Sequence, residues 1–298
     1  MAKQAPQFGA LLLALALVQG ACADSETPML AKESSWLLRL PEEKTVIFHG
    51  SSNADDAGLN TGGMLYPAPT PLGFLAAVVT HALIIDGSKR HQLSKLQEEA
   101  DKVLIPYRPL IDKMDGRELM SKAVATSKRR GTGKTIDAGA APTTETLVES
   151  TPVFWMTPDR ESIIVENALS ILKPGAPAES AYRNEVRVVY TPHGSPSPEN
   201  YWLANNGEKL HEAAIKLLAE SIDIGLHDAS LAPTDEKPFR TLRFTEGKQE
   251  KMERAQLLED RCGRMLLKTL RGSLMSVPRL PTSPANEFGC LSEVTQSK

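Results

Sequence analysis

Three apolar segments punctuated by turn-forming pairs constrain the fold of this chain more than any other feature. They cover residues 152–157, 162–173 and 185–191, and the connections between them carry Pro158-Asp159 and Pro174-Gly175, pairs that favour tight turns through a preset φ and a permissive glycine. In the last segment Val186, Val188 and Tyr190 alternate with Glu185, Arg187 and Val189, the period of two expected of a strand. The middle segment admits two readings, because Ile164, Ala168 and Ile171 also fit a helical period.

Around these strands the chain reads as mixed. Residues 44–49 (KTVIFH) predict a short strand, followed by a glycine- and asparagine-rich loop over 50–63. The most apolar stretch of the mature chain is 71–85; as a helix its run from Leu72 to Ile85 spans about 21 Å, short of a ~30 Å hydrocarbon core, so a buried helix is expected. Residues 91–105 place Leu93, Leu96, Ala100, Val103 and Leu104 opposite Lys95, Glu98, Glu99 and Lys102, and Pro106 ends that helix. A further helix is expected over 116–127, with Leu119, Met120, Ala123 and Val124 inward. Small and polar residues from 127 to 147 lack a sustained apolar period and predict a linker. A long helix is expected over 208–224, capped by Asn206 and Gly225, then a strand over 239–245 and an amphipathic helix over 250–270.

The expected fold is α+β: a helical N-terminal part packed with a small, mostly antiparallel sheet that carries one long helix and a C-terminal amphipathic helix. The corresponding segments are a leader over 1–23, a mainly helical region with a short N-terminal strand over 24–126, a flexible linker over 127–147, an α+β region over 148–280 and a loose tail over 281–298.

Length and composition fit a globular chain. Its 298 residues are 41% hydrophobic and 24% charged, which excludes a wholly disordered chain, a collagen-like chain and a multi-span membrane protein. The formal net charge of -3 lacks the surplus Lys and Arg on which a dedicated nucleic-acid binder depends.

The N-terminus carries the strongest functional signal. Lys3, an apolar run from Ala10 to Val18 and the small residues Gly20-Ala21-Cys22-Ala23 form the three-part layout of a secretory signal peptide. Ala21-Cys22-Ala23 fits cleavage before Asp24. Gly20-Ala21-Cys22 also resembles the motif of bacterial lipoproteins, whose cysteine takes the lipid, with Gln19 standing where that pattern has an aliphatic residue. Either route leaves Cys262 and Cys290 as the thiols available for pairing in an oxidising compartment. A bond between them closes a loop of about 30 residues, worth about 3 kcal/mol by the chain-entropy argument.

Catalytic motifs are incomplete. Gly131-Thr132-Gly133-Lys134-Thr135 resembles the end of a phosphate-binding loop, but Lys128 stands where the first glycine belongs and no apolar strand leads into it, so no nucleotide is expected. Glu208 and His211 have the i, i+3 spacing of a carboxylate-bridged metal helix without a second such pair, and no His-x-x-x-His pair occurs. Neither a cofactor nor a metal is expected. Ser52, in Gly50-Ser51-Ser52-Asn53-Ala54, is the nearest approach to a nucleophile elbow, with His81 or His193 as a candidate partner.

The segment from Lys237 to Arg279 holds eleven Lys or Arg against five Asp or Glu. On a helix over 250–270, Arg261, Arg264, Lys268 and Arg271 form one basic stripe suited to an anionic membrane surface or an acidic envelope protein. The expected function is that of an exported bacterial cell-envelope protein, periplasmic or associated with the outer membrane through Cys22, acting as a non-catalytic binding or assembly component. The alternative is a secreted serine hydrolase using Ser52 with a histidine.

Overall fold

A computed structural model describes residues 35–51, 87–127, 132–140, 144–192, 197–232, 237–261 and 263–280. The chain divides into Met1–Lys32 and Glu33–Lys298, and every described residue belongs to the second unit. In chain order the strands are β1 (Trp36–Arg39), β2 (Phe48–Gly50), β3 (Gly133–Ile136), β4 (Thr146–Met156), β5 (Ile163–Leu172), β6 (Tyr182–Tyr190), β7 (Arg240–Glu246), β8 (Gln249–Arg261), β9 (Arg264–Thr269) and β10 (Leu274–Pro278). They form one mixed sheet in the order β3-β1-β4-β5-β6-β10-β9-β8-β7, with β2 also on β4. The helices are α1 (Gly87–Asp101), α2 (Gly116–Thr126) and α3 (Pro198–Ser230), with a 3-10 turn over Lys102–Tyr107 and one α-helical turn at Arg108–Ile111.

β4, β5 and β6 are antiparallel neighbours, and the turns predicted at Pro158-Asp159 and Pro174-Gly175 connect them. Along its outer edge β4 receives two short parallel strands in tandem. β1 pairs at its start, Trp36 opposite Thr146, and β2 at its end, Phe48 opposite Phe154.

Each face of this meander is buried against something different. On one face Phe154, Ile163, Val165, Leu169, Ile171, Val186 and Val188 pack with Leu119 and Ala123 of α2 and Leu210, Ala214, Leu217 and Leu218 of α3. On the other, Val153, Trp155, Ile164 and Val189 meet Phe244, Ala255, Met265, Leu267, Met275 and Val277. The sheet therefore curls, bringing β7 and β8 back over the face that the helices do not cover. A bridge between Phe244 and Arg279 closes that curl.

A buried ion pair fastens the curl from inside. Arg187 of β6, 4% exposed, bonds Glu166 of β5 and, at 2.6 Å, Glu246 of β7. Burial works against the guanidinium charge, but the carboxylates of Glu246 and Glu166 outweigh it and keep Arg187 protonated. On the same inner face burial raises the carboxyl of Glu253 above its ordinary range, with Arg187 and Arg271 acting in the opposite sense.

Several expectations are corrected. The fold is sheet-dominated, not a helical N-terminal part packed with a small sheet. Before residue 127, β2 overlaps the short strand expected over 44–49, but β1 matches no expected element, and β3 lies in the segment expected as a linker; β1 and β3 have four residues each, too short to declare a period of two. The C-terminal amphipathic helix does not form; residues 250–270 are the β8–β9 hairpin and the start of its exit turn. A register shift between Leu257 and Glu259 breaks the strand alternation there, and the spacing of apolar residues across that bulge imitates a helix.

The ambiguous 162–173 segment is strand β5, and the helix expected over 116–127 forms as α2. Asn206 is not an N-cap. It lies with Asn205 and Gly207 at positive φ, in a break that separates a short first piece of α3 from the helix beginning at Glu208. Gly225 does not end that helix, which continues to Ser230. A Cβ at Gly225 would lie 2.3 Å from Leu169 Cδ1, so this glycine lets the helix approach the sheet closely. The apolar run over 71–85 lies outside the described residues.

The buried ion pair predicts an asymmetric response to substitution. Arg187→Met leaves Glu166 buried without its counter-charge and should lower unfolding free energy by about 3–5 kcal/mol. Exchanging Arg187, Glu166 and Glu246 together for apolar residues should cost much less, and urea denaturation of the two variants measures the difference.

Candidate functional site

The carboxyl ends of β2 and β4 leave the sheet side by side, the place where open sheets containing parallel strands commonly hold ligands. β2 is an edge here, and its free backbone groups need partners. α1 supplies them. The Gly50 N–H donates to Asp101 Oδ1 at 2.8 Å, and Gln97 Nε2 donates to the Gly50 carbonyl at 3.0 Å and to Asp101 Oδ1 at 2.7 Å. The helix end lies so close that a Cβ on Gly50 would be 1.9 Å from the Ala100 carbonyl oxygen.

The same carboxylate holds His49. Its Nδ1 lies 3.2 Å from Asp101 Oδ2, and its ring sits against Trp155 with centroids 5.3 Å apart. Arg108 Nη2 is 3.7 Å from that carboxylate oxygen. With Nδ1 engaged by a carboxylate and the ring against Trp155, the imidazole is fixed in orientation.

Beside this pair is a cleft of about 300 Å³, lined by Ser51, Glu99, Ala100, Lys102, Val103, Pro158 and Arg160. Ser51 anchors its base through a 2.8 Å bond from its N–H to the Met156 carbonyl. The far wall is the β4–β5 turn. Thr157 Oγ1 donates to Asp159 Oδ1 at 2.6 Å, the Glu161 N–H donates to the same oxygen at 3.0 Å, and the Arg160 N–H closes on the Thr157 carbonyl at 2.8 Å.

Arg160 has φ of 59°. This left-handed conformation suits glycine in short hairpin loops and costs other residues roughly 1–2 kcal/mol. Two contacts from α3 hold it: Trp202 Nε1 donates to the Arg160 carbonyl at 2.7 Å, and Glu199 pairs with the guanidinium. Near both charges lies Tyr107, fully buried, whose hydroxyl has no hydrogen-bond partner among the described residues. Burial pushes its pKa up to about 12, with Arg160 and Glu199 acting in opposite directions, so the phenol stays protonated.

The turn is clasped from its other side by the β7–β8 hairpin. Gly247 N–H donates to Ser162 Oγ and Lys248 N–H to Asp159 Oδ2, each at 2.7 Å, and Lys248 Nζ lies 3.1 Å from Glu161. Residues 157–162 thus join the curled half of the sheet, the first piece of α3 and the cleft.

The residues singled out by sequence are distributed differently. Ser52, His81, His193, Cys22, Cys262 and Cys290 lie outside the described residues. Arg261, Arg264, Lys268 and Arg271 do not form a stripe, because no helix carries them. Arg261 and Arg264 are register partners across a hairpin turn, Lys268 is on the inner strand β9, and Arg271 follows in the next turn. Arg264 points inward, bonding Ser276 and the Val189 carbonyl, with Glu220 at 3.5 Å. Gly133 begins edge strand β3, where a Cβ would strike Trp36, rather than a phosphate-binding turn. On α3, burial and the neighbouring Lys122 charge lower the pKa of His211. Among the described residues no cluster of three or more His, Cys, Asp or Glu side chains is placed to hold a metal ion.

Sequence reasoning missed the His49–Asp101 pair because its members are 52 residues apart. Arg160 had one visible signal, its place directly after the Pro158-Asp159 turn pair, where a glycine is the ordinary choice. No protein-family model matches the chain, and no curated protein matches it.

The bonds around Asp101 predict its contribution to stability. Asp101→Ala removes the acceptor for Gly50 N–H, Gln97 and His49 together and should cost about 1–3 kcal/mol in urea unfolding. Asp101→Asn, which keeps an acceptor oxygen for Gly50, should cost less.

Proposed function

We propose that this protein is an exported component of the bacterial cell envelope, periplasmic or tethered to the outer membrane by a lipid on Cys22, and that it works by binding. The leader supports the location: one basic residue, an apolar core well under the ~20 residues a spanning helix needs, and small residues at the processing site. Among the described residues no helix is long and apolar enough to cross a membrane.

The observation that carries the binding role is the cleft at the ends of β2 and β4. It combines an apolar floor of Ala100, Val103 and Pro158 with the hydroxyl of Ser51 and charges of both signs on its walls, the mixture by which small-molecule sites fix orientation. The backbone on its two sides is braced by α1, α3 and the β7–β8 hairpin, so the strand end and the turn that frame it are positioned before a ligand arrives.

Intact-mass measurement of the chain recovered from a Gram-negative host tests the export reading. The expected product begins either at Asp24 or at a lipidated Cys22. A chain that retains Met1 overturns it.

One observation favours a second reading, a secreted hydrolase. His49 is oriented by Asp101 at the end of the strand that leads into Ser52, and an imidazole so held is suited to act as a general base. On this reading a fluorophosphonate probe labels the folded protein at Ser52, and His49→Ala reduces the labelling rate by at least about 100-fold. Absence of labelling in a folded sample eliminates it.

A further inference from the structure

We propose that Arg160 is the recognition residue of the cleft and that the cleft binds an oxyanion group, a carboxylate or a phosphate, carried by an envelope ligand. This rests on the binding reading above and names the chemistry of that site. The first support is conformational. A left-handed arginine in a hairpin loop is a backbone cost that glycine would remove, and outliers of this kind concentrate where a side chain is needed for function. Trp202 and Glu199 sustain the conformation from a separate element, α3.

The second support is donor geometry. A guanidinium carries five N–H donors in a planar fork, and Glu199 engages Nη1. The side chain is one-third exposed and lines the cleft, and a guanidinium fork won from Glu199 can meet two oxygens at once, the arrangement that suits carboxylate and phosphate. Lys102 lines the same cleft, and its ammonium is shared with Glu99.

The acidic groups define how the site works. Glu199 balances Arg160, and Glu99 balances Lys102, so the resting cleft does not depend on surplus positive charge. An incoming oxyanion competes with Glu199 for the guanidinium. Removing that competitor should tighten binding, the reverse of what a purely structural ion pair would do.

Titration calorimetry of the mature chain with inorganic phosphate, N-acetylglycine and the uncharged N-acetylglycinamide tests the proposal, with circular dichroism melting run on every variant. Saturable binding of phosphate or of N-acetylglycine is expected. Preference for phosphate identifies a phosphate-bearing ligand, and preference for the acid identifies a carboxylate-bearing one. Arg160→Gly should keep the fold, because glycine relieves the left-handed backbone, and weaken binding by at least about tenfold. Arg160→Lys, which keeps charge without the fork, should weaken it several-fold. Glu199→Gln should strengthen it several-fold. The assignment is overturned if no charged probe binds, or if folded Arg160→Gly and Arg160→Lys both bind as the parent does. Binding of the amide alone also overturns it while leaving the cleft a binding site, and export is judged separately by the mature mass.

Discussion

Burial of the β4–β5–β6 meander on both faces is the constraint on which the rest of the structure depends. β5 has Ile163, Val165, Leu169 and Ile171 on the helical side and Ile164 and Glu166 on the other. The first half of β5 is buried on both faces and must be covered twice, because each exposed face would forfeit roughly 25 cal/mol for every Å² of apolar surface left in water. The helices α2 and α3 cover one face. With no helices on the other, the sheet covers itself, and β7 and β8 curl back over Val153, Trp155, Ile164 and Val189.

The two cores each contain a polar exception, and each exception ties layers together. Facing the helices, buried Asn167 donates to Ser221 of α3 at 2.9 Å and accepts from Ser150 of β4 at 2.8 Å. Facing the curl, Arg187 joins strands β5, β6 and β7 through two carboxylates. Buried polar groups of this kind lose heavily if mispaired, so they favour one arrangement of the layers over others that would bury similar apolar area.

The cleft inherits its geometry from this architecture. Because β2 occupies only the end of β4's outer edge, its own edge needs cover, and the end of α1 provides it through Gln97 and Asp101. Because the sheet curls, the β7–β8 hairpin reaches the β4–β5 turn and holds Asp159 and Ser162. Arg160 stands between those two braces, with its carbonyl pinned by Trp202. The arrangement of residues around the cleft is therefore a consequence of how edges and faces are covered, not of any contiguous motif.

Local chemistry alone determined several features of this protein. The period-two alternation of 185–191 specifies a strand, the pairs Pro158-Asp159 and Pro174-Gly175 specify the turns on either side of 162–173, and the inward positions Leu119, Met120, Ala123 and Val124 specify α2, because these signals lie within a few residues of one another. That 162–173 is a strand rather than a helix is decided by its neighbours. Tertiary structure decided the remainder. β1 and β3 have four residues each and become strands only by pairing, β1 with β4 and β3 with β1. The β8 bulge masks a strand as a helix until β9 and β10 fix its register. His49 meets Asp101, and Arg160 meets Glu199, across separations that no spacing rule spans. A sequence records which faces need burial; which elements arrive to bury them, and which side chains that brings together, is set by competition among all the surfaces of the folded chain.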